Sequence, residues 1–231
     1  MIPNHVRNIV YVTVCLTCAV GYGEELPDLI NRLQKLDGKN PIRGIVSIED
    51  RTPKTKETGS LQIEKANVTI TADANALSLT FAGHITNNRI FREFSLLRAG
   101  ELVHYGPPLA RELDGLKLVE ILPGSHEGVP CNRWRLESEE TQSKLGASST
   151  RRRDVELWID AEGYPLAASF KTLRKGKMLF IKMSSESVRE QRYRRLGDRL
   201  ILILDKNETD IKMKSGSEKQ IVTTTVEVKN D

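Results

Sequence analysis

The chain has 231 residues, with 35 basic and 31 acidic side chains for a formal charge of +4, and hydrophobic residues make up 39% of it. So small a surplus does not predict nucleic-acid binding, which usually shows a strong basic stripe, and the apolar share suits a packed core rather than a disordered chain. Three cysteines are too few for a disulfide-dense scaffold.

Met1 to Asn8 carries one full charge, Arg7, and the run from Ile9 to Val20 is apolar apart from its threonines. Gly21 and Gly23 then precede Glu24-Glu25. A charged start, a short apolar run and small residues at the cut form the layout of a secretory signal peptide. The run falls short of the roughly 20 apolar residues a membrane-spanning helix needs. Cleavage after Gly23 and a periplasmic or secreted mature protein are therefore expected. Leu16-Thr17-Cys18-Ala19 offers a lipid anchor on Cys18 as an alternative, and an uncleaved anchor is another. Without residues 1–23 the chain has 208 residues, 34 basic and 31 acidic, and one cysteine, Cys131. That length predicts a single domain, residues 24–231, held together without an internal disulfide.

Leu26, Leu29, Ile30, Leu33 and Leu36 recur at spacings of three and four, which puts them on one face of a helix. Pro27 suits its first turn and Asp37-Gly38 its stop. After Pro41 the period becomes two: Ile42, Gly44, Val46 and Ile48 alternate with Arg43, Ile45, Ser47 and Glu49. Leu61–Glu64, Val68–Thr71 and Leu77–Phe81 continue as short strands, joined by turns too short for parallel pairing. Residues between Asn88 and Arg98 read as a short helix, with a strand through Ile90-Phe91 as the alternative, and Pro107–Leu113 reads as another short helix, ended by Asp114-Gly115. Leu116–Leu122 and Asn132–Leu136 are strands around a Gly- and Pro-containing reversal. Ser138–Arg153 is polar and is expected to be a mobile loop. Strands resume at Val155–Asp160 and Pro165–Lys171, followed by Met178–Met183, Val188–Leu196, Leu200–Leu204, Ile211–Met213 and Ile221–Val228. Leu200–Leu204 is apolar on both faces, which calls for a helical cover. The fold class expected from this pattern is mainly β with some α: a large curved antiparallel sheet, partly covered by two or three helices.

The textures of Leu29–Leu33 followed by Ile42–Val46, of Glu127-Gly128-Val129-Pro130-Cys131, of Val155–Pro165 and of Tyr193–Leu200 together resemble the outer-membrane lipoprotein-sorting superfamily, the LolA/LolB-like lipoprotein carriers. The Trp158 strand, the acidic-glycine turn at Glu162-Gly163 and Pro165 opening the next strand carry most of the likeness. The resemblance implies an amphipathic helix, an antiparallel meander folded into an unclosed barrel around an apolar cavity, and carriage of a lipid or lipoprotein. At 5% the aromatic share is low, so such a cavity would be lined by aliphatic side chains.

No nucleophile elbow, phosphate loop, dinucleotide fingerprint or zinc spacing surrounds His84, His104 or His126, so a non-catalytic protein without metal or cofactor is expected. Two binding readings follow. In the first, an acyl chain or lipoprotein lies against inward positions of the sheet. Those from the first strands are Leu61, Ile63, Val68, Ile70, Leu77, Leu79 and Phe81. The later strands add Val155, Leu157, Ile159, Leu179, Ile181 and Met183. In the second, the domain is an envelope interaction or sensor module, in which Arg151, Arg152 and Arg153, with Arg192, Arg194 and Arg195, form a surface for a partner's carboxylates, acidic lipid heads or acidic glycans. Arg189 belongs to the same arginine-rich stretch.

Overall fold

In a computed structural model the described residues are 25–53, 61–81, 95–144, 147–178, 181–213 and 216–229. The elements run α1 (Leu26–Gln34), β1 (Ile42–Pro53), β2 (Leu61–Ala72), β3 (Leu77–Phe81), α2 (Leu96–Val103), α3 (Gly106–Leu113), β4 (Lys117–His126), β5 (Val129–Lys144), β6 (Ala147–Ile159), β7 (Pro165–Met178), β8 (Ile181–Leu196), β9 (Arg199–Met213) and β10 (Gly216–Lys229). Among the described residues the strands form one ten-stranded sheet in the order β3-β2-β1-β10-β9-β8-β7-β6-β5-β4, with every neighbouring pair antiparallel. Pairing of β1 with β10 brings the two ends of the domain together, while β3 and β4 remain unjoined edges, so the barrel is not closed. The mainly β, helix-covered open sheet expected from periodicity is what is observed.

The three helices among the described residues share one core with the sheet. Leu29, Leu33, Leu102, Leu109 and Leu113 pack with Val46, Ile70, Leu136, Leu157 and Leu202. α1 buries Leu26, Leu29 and Leu33 as its spacing requires, and Gly38 turns the chain with φ +66°. α2 is capped by Ser95, whose Oγ accepts from the Arg98 N–H at 3.2 Å. It lies later than the helix expected between Asn88 and Arg98, most of which falls outside the described residues. α3 opens on Gly106 directly against α1: a Cβ there would stand 2.7 Å from the Leu33 carbonyl oxygen and 2.7 Å from Leu36 Cδ1. Gly106→Ala is therefore expected to push the two helices apart and cost about 1–3 kcal/mol. Urea unfolding checks this, and an unchanged midpoint would show that the helices do not meet so closely.

Three sequence expectations need correction. Ser138–Arg153 is not a loop: β5 runs to Lys144 and β6 starts at Ala147, paired from Lys144 opposite Ala147 down to Asn132 opposite Ile159. Leu61–Ala72 is one strand with no turn at Lys65–Asn67, and β8 and β9 each join two segments read as separate. The cause is common to all three. These strands run past the helices, and there neither face needs apolar residues, so the alternation fades while backbone pairing continues.

Candidate functional site

The helix-side face changes character along each strand. One rung runs Leu136, Val155, Phe170, Arg189, Asn207, Val222 and Asp50, apolar on β5 to β7 and polar across β8 and β9. The next rung away from the helices is Ser138, Arg153, Thr172, Ser187, Thr209 and Gln220. The one after is Glu140, Arg151, Arg174, Ser185, Ile211 and Glu218. The sheet thus has a covered apolar half and an open polar half.

A charged network marks the boundary. Arg189 donates through Nε and Nη2 to the two carboxylate oxygens of Asp205 at 2.7 and 2.8 Å, and through Nη1 to Glu112 of α3 at 2.8 Å. Arg98 of α2 also donates to Asp205. The Tyr105 hydroxyl, between α2 and α3, donates to Glu112 at 2.8 Å and receives Arg189 Nη2 at 3.1 Å. The Gln191 carboxamide sits between the hydroxyls of Tyr105, at 2.8 Å, and Tyr193. Two guanidinium groups thus meet two carboxylates, and the fork of Arg189 gives the bidentate geometry of a strong pair.

Burial disfavours charge on both Arg189 and Asp205. The hydrogen bonds and charge of the pair outweigh it, holding Arg189 above its ordinary value and Asp205 below the usual carboxylate value. Burial raises both tyrosines. Near neutral pH these groups keep their protonation states, so the network suits fastening helices to the sheet rather than proton transfer.

Beyond it lie Arg151, Arg153 and Arg174. Arg151 stands directly opposite Arg174, an arrangement that sheets ordinarily disfavour. Arg151 Nε is buried without a hydrogen-bond acceptor. Arg153 donates to the Glu112 carbonyl, and burial followed by the charge of Arg151 lowers its pKa. Around them are the hydroxyls of Ser138, Thr172, Ser185 and Ser187, and Glu140 lies directly opposite Arg151 on β5, one carboxylate beside three guanidinium groups. Here the face is positive and polar, and it can take an anion.

The six arginines of the expected surface do not come together. Arg151 and Arg153 face the helix side, and Arg152 points to the other face with Asp154 at 3.0 Å. Arg192 pairs with Glu127 at 2.6 Å, and Arg194 is exposed on the outer face. Arg195 lies over the Tyr164 ring at 3.9 Å and donates to Glu162 at 2.8 Å. Arg174 was not singled out by sequence, although the register of the hairpin puts it beside Arg151. Period-two alternation could also have told Arg151 and Arg153 from Arg152.

Of the inward apolar positions, Val68, Ile70, Val155, Leu157 and Ile159 are buried against the helices, at most 2% exposed. Leu77 and Leu79 are half-buried at the edge of the core. Phe81 and Met183 are 41% and 48% exposed, Phe81 on the edge strand and Met183 beyond the helices. Leu179 lies outside the described residues, as do the side chains of Leu61, Ile63 and Ile181. So do the signal-peptide region, Cys18 and His84.

Cys131 is buried and unpaired with another cysteine. His104 and His126 stand apart, His104 beside Gly38 and His126 against Trp158. Among the described residues no group of three His, Cys, Asp or Glu could hold a metal ion, and no helix is long and apolar enough to cross a membrane. No protein-family model matches the chain, and no characterised protein is detectably similar to it.

Proposed function

We propose that this chain is an exported, non-catalytic binding protein of the cell envelope whose open sheet half takes the carboxylates of an acidic protein partner. The observation that carries this reading is Arg151 opposite Arg174, beside Arg153, with a buried guanidinium nitrogen that has no acceptor. An incoming carboxylate would relieve the repulsion and satisfy that nitrogen. The packing of Val155, Leu157 and Ile159 beneath the helices favours this arginine face over an apolar lipid cavity. Export rests on the N-terminal sequence, and carriage of a lipid or lipoprotein rests on the resemblance to lipoprotein carriers.

The test is fluorescence anisotropy with a labelled glutamate-rich peptide at low salt. Arg151→Gln/Arg174→Gln is expected to weaken binding about a hundredfold, from two lost charge-assisted hydrogen bonds. Equal affinity in wild type and variant would sink the arginine-face reading. Native mass spectrometry of detergent-free protein tests the alternative, since a co-purified lipid would turn the choice toward a cavity.

A further inference from the structure

The face turned away from the helices has its own feature at the same end of the sheet. Lys175 and Lys177 of β7, Lys182 of β8 and Lys212 of β9 line a groove of about 460 Å³. The hydroxyls of Ser148, Thr150 and Ser184 line it too, and no carboxylate does. The register explains the convergence: Lys177 is directly opposite Lys182, Lys175 is opposite Ser184, and Ser184 is opposite Lys212. Three adjacent strands therefore send four ammonium groups to one side of the sheet. These residues are outward because Ser149, Arg151 and Arg153 of β6 are inward, and successive side chains alternate.

Lys177 and Lys182, like Arg151 and Arg174, form a like-charge pair that costs stability when nothing neutralises it. Lys212 reaches Asp210 at 3.7 Å. Lys175, Lys177 and Lys182 have no ion pair with any described carboxylate, whereas Lys171, two rungs nearer the helices than Lys175, is paired with Glu186 at 2.9 Å. The charge is thus compensated along the strands and left open at their ends.

Lysine is a compact charge on a flexible stem with rotatable donors, and hydroxyls add further donors. That combination suits the tetrahedral oxygens of phosphate, which need no planar fork. The geometry points to a groove that binds a group carrying two or more phosphates, either a polyphosphate in solution or the clustered headgroups of an anionic lipid surface. A flat surface can reach the end of the sheet without meeting the helices. The groove is separate from the arginine face, being on the opposite side of the sheet.

The probes are inorganic tripolyphosphate by titration calorimetry and flotation with vesicles of equal parts phosphatidylcholine and phosphatidylglycerol. Binding to either probe is expected to fall about a hundredfold in Lys175→Ala/Lys177→Ala/Lys182→Ala, since each substitution removes roughly one favourable lysine–anion attraction. It should remain in Arg151→Gln/Arg174→Gln. Response to tripolyphosphate identifies a soluble polyphosphate as the source, and response to vesicles alone identifies a lipid surface. The lysine variant should melt no lower than wild type, because only exposed, mutually repelling charges are removed. Absence of binding to both probes would overturn the proposal. So would undiminished binding in the lysine variant, or equal loss in the arginine variant.

Discussion

Arg189→Ala is expected to remove about 3–5 kcal/mol of stability, because it leaves carboxylates in a partly dry site without their main counter-charge. Asp205 is 6% exposed and receives two of the four Arg189 bonds, with Arg98 as its remaining cation. Glu112 loses an ion pair at 2.8 Å and keeps the Tyr105 hydroxyl. Arg189→Lys should restore only part of the loss, since a point charge cannot fill both oxygens of Asp205 and reach Glu112 together.

The pH dependence follows from the sign of the shift. The folded-state pKa of Asp205 lies below its ordinary value of 3.8, so the unfolded chain takes up the proton first. The stabilisation is then present above about 3.8 and is lost as pH falls through the lower folded value. In Arg189→Ala that depression shrinks, and the variant should keep less of the Asp205 contribution at neutral pH. Urea unfolding between neutral pH and pH about 3 reads both effects. A loss below about 1 kcal/mol at neutral pH would mean that the pair does not fasten α2 and α3 to the sheet.

How much of this was visible in the residues depends on what forced the pattern. α1 could be read because one face must be apolar to bury Leu26, Leu29 and Leu33. β1 could be read because Val46 and Ile48 point into the core while Ser47 and Glu49 are half-exposed. The hairpin of β5 and β6 was hidden, since beyond the helices its strands bury little and carry Ser, Thr, Arg and Glu on both faces. Hydroxyl side chains such as Thr141, Ser148 and Thr150 fit a strand well, but they also mark loops, and composition cannot choose between the two.

The charged network was hidden for a different reason. Arg98 and Asp205 are 107 residues apart, and Tyr105 and Arg189 are 84 apart. Only the return of β8 and β9 under α2 and α3 brings them together. The arginine face was half visible. Its residues stood out as a run, and the alternation that splits the run between two faces was already in the sequence. The lysine groove needed the register, which pairs residues from three strands.

Leu157→Ala decides what the inward positions are for. Leu157 lies on β6, opposite Trp134 on one side and Ala168 on the other, and is fully buried. In a packed core, removing its branched end leaves a void that Trp134 and the helices cannot fully close, and the cost is expected to be about 2–5 kcal/mol. In a cavity built for an acyl chain the same side chain would face space already empty of protein, and its truncation would cost little. Equilibrium urea unfolding of the ligand-free variant separates the two, with Val155→Ala as a smaller companion change on the same strand. A loss above about 2 kcal/mol fixes Leu157 as core. It then leaves the open polar half of the sheet, with its arginines and lysines, as the place where binding is sought. A cost below about 1 kcal/mol, together with greater uptake of a fluorescent fatty acid, would mean that the helices cover a chamber rather than a filled interior.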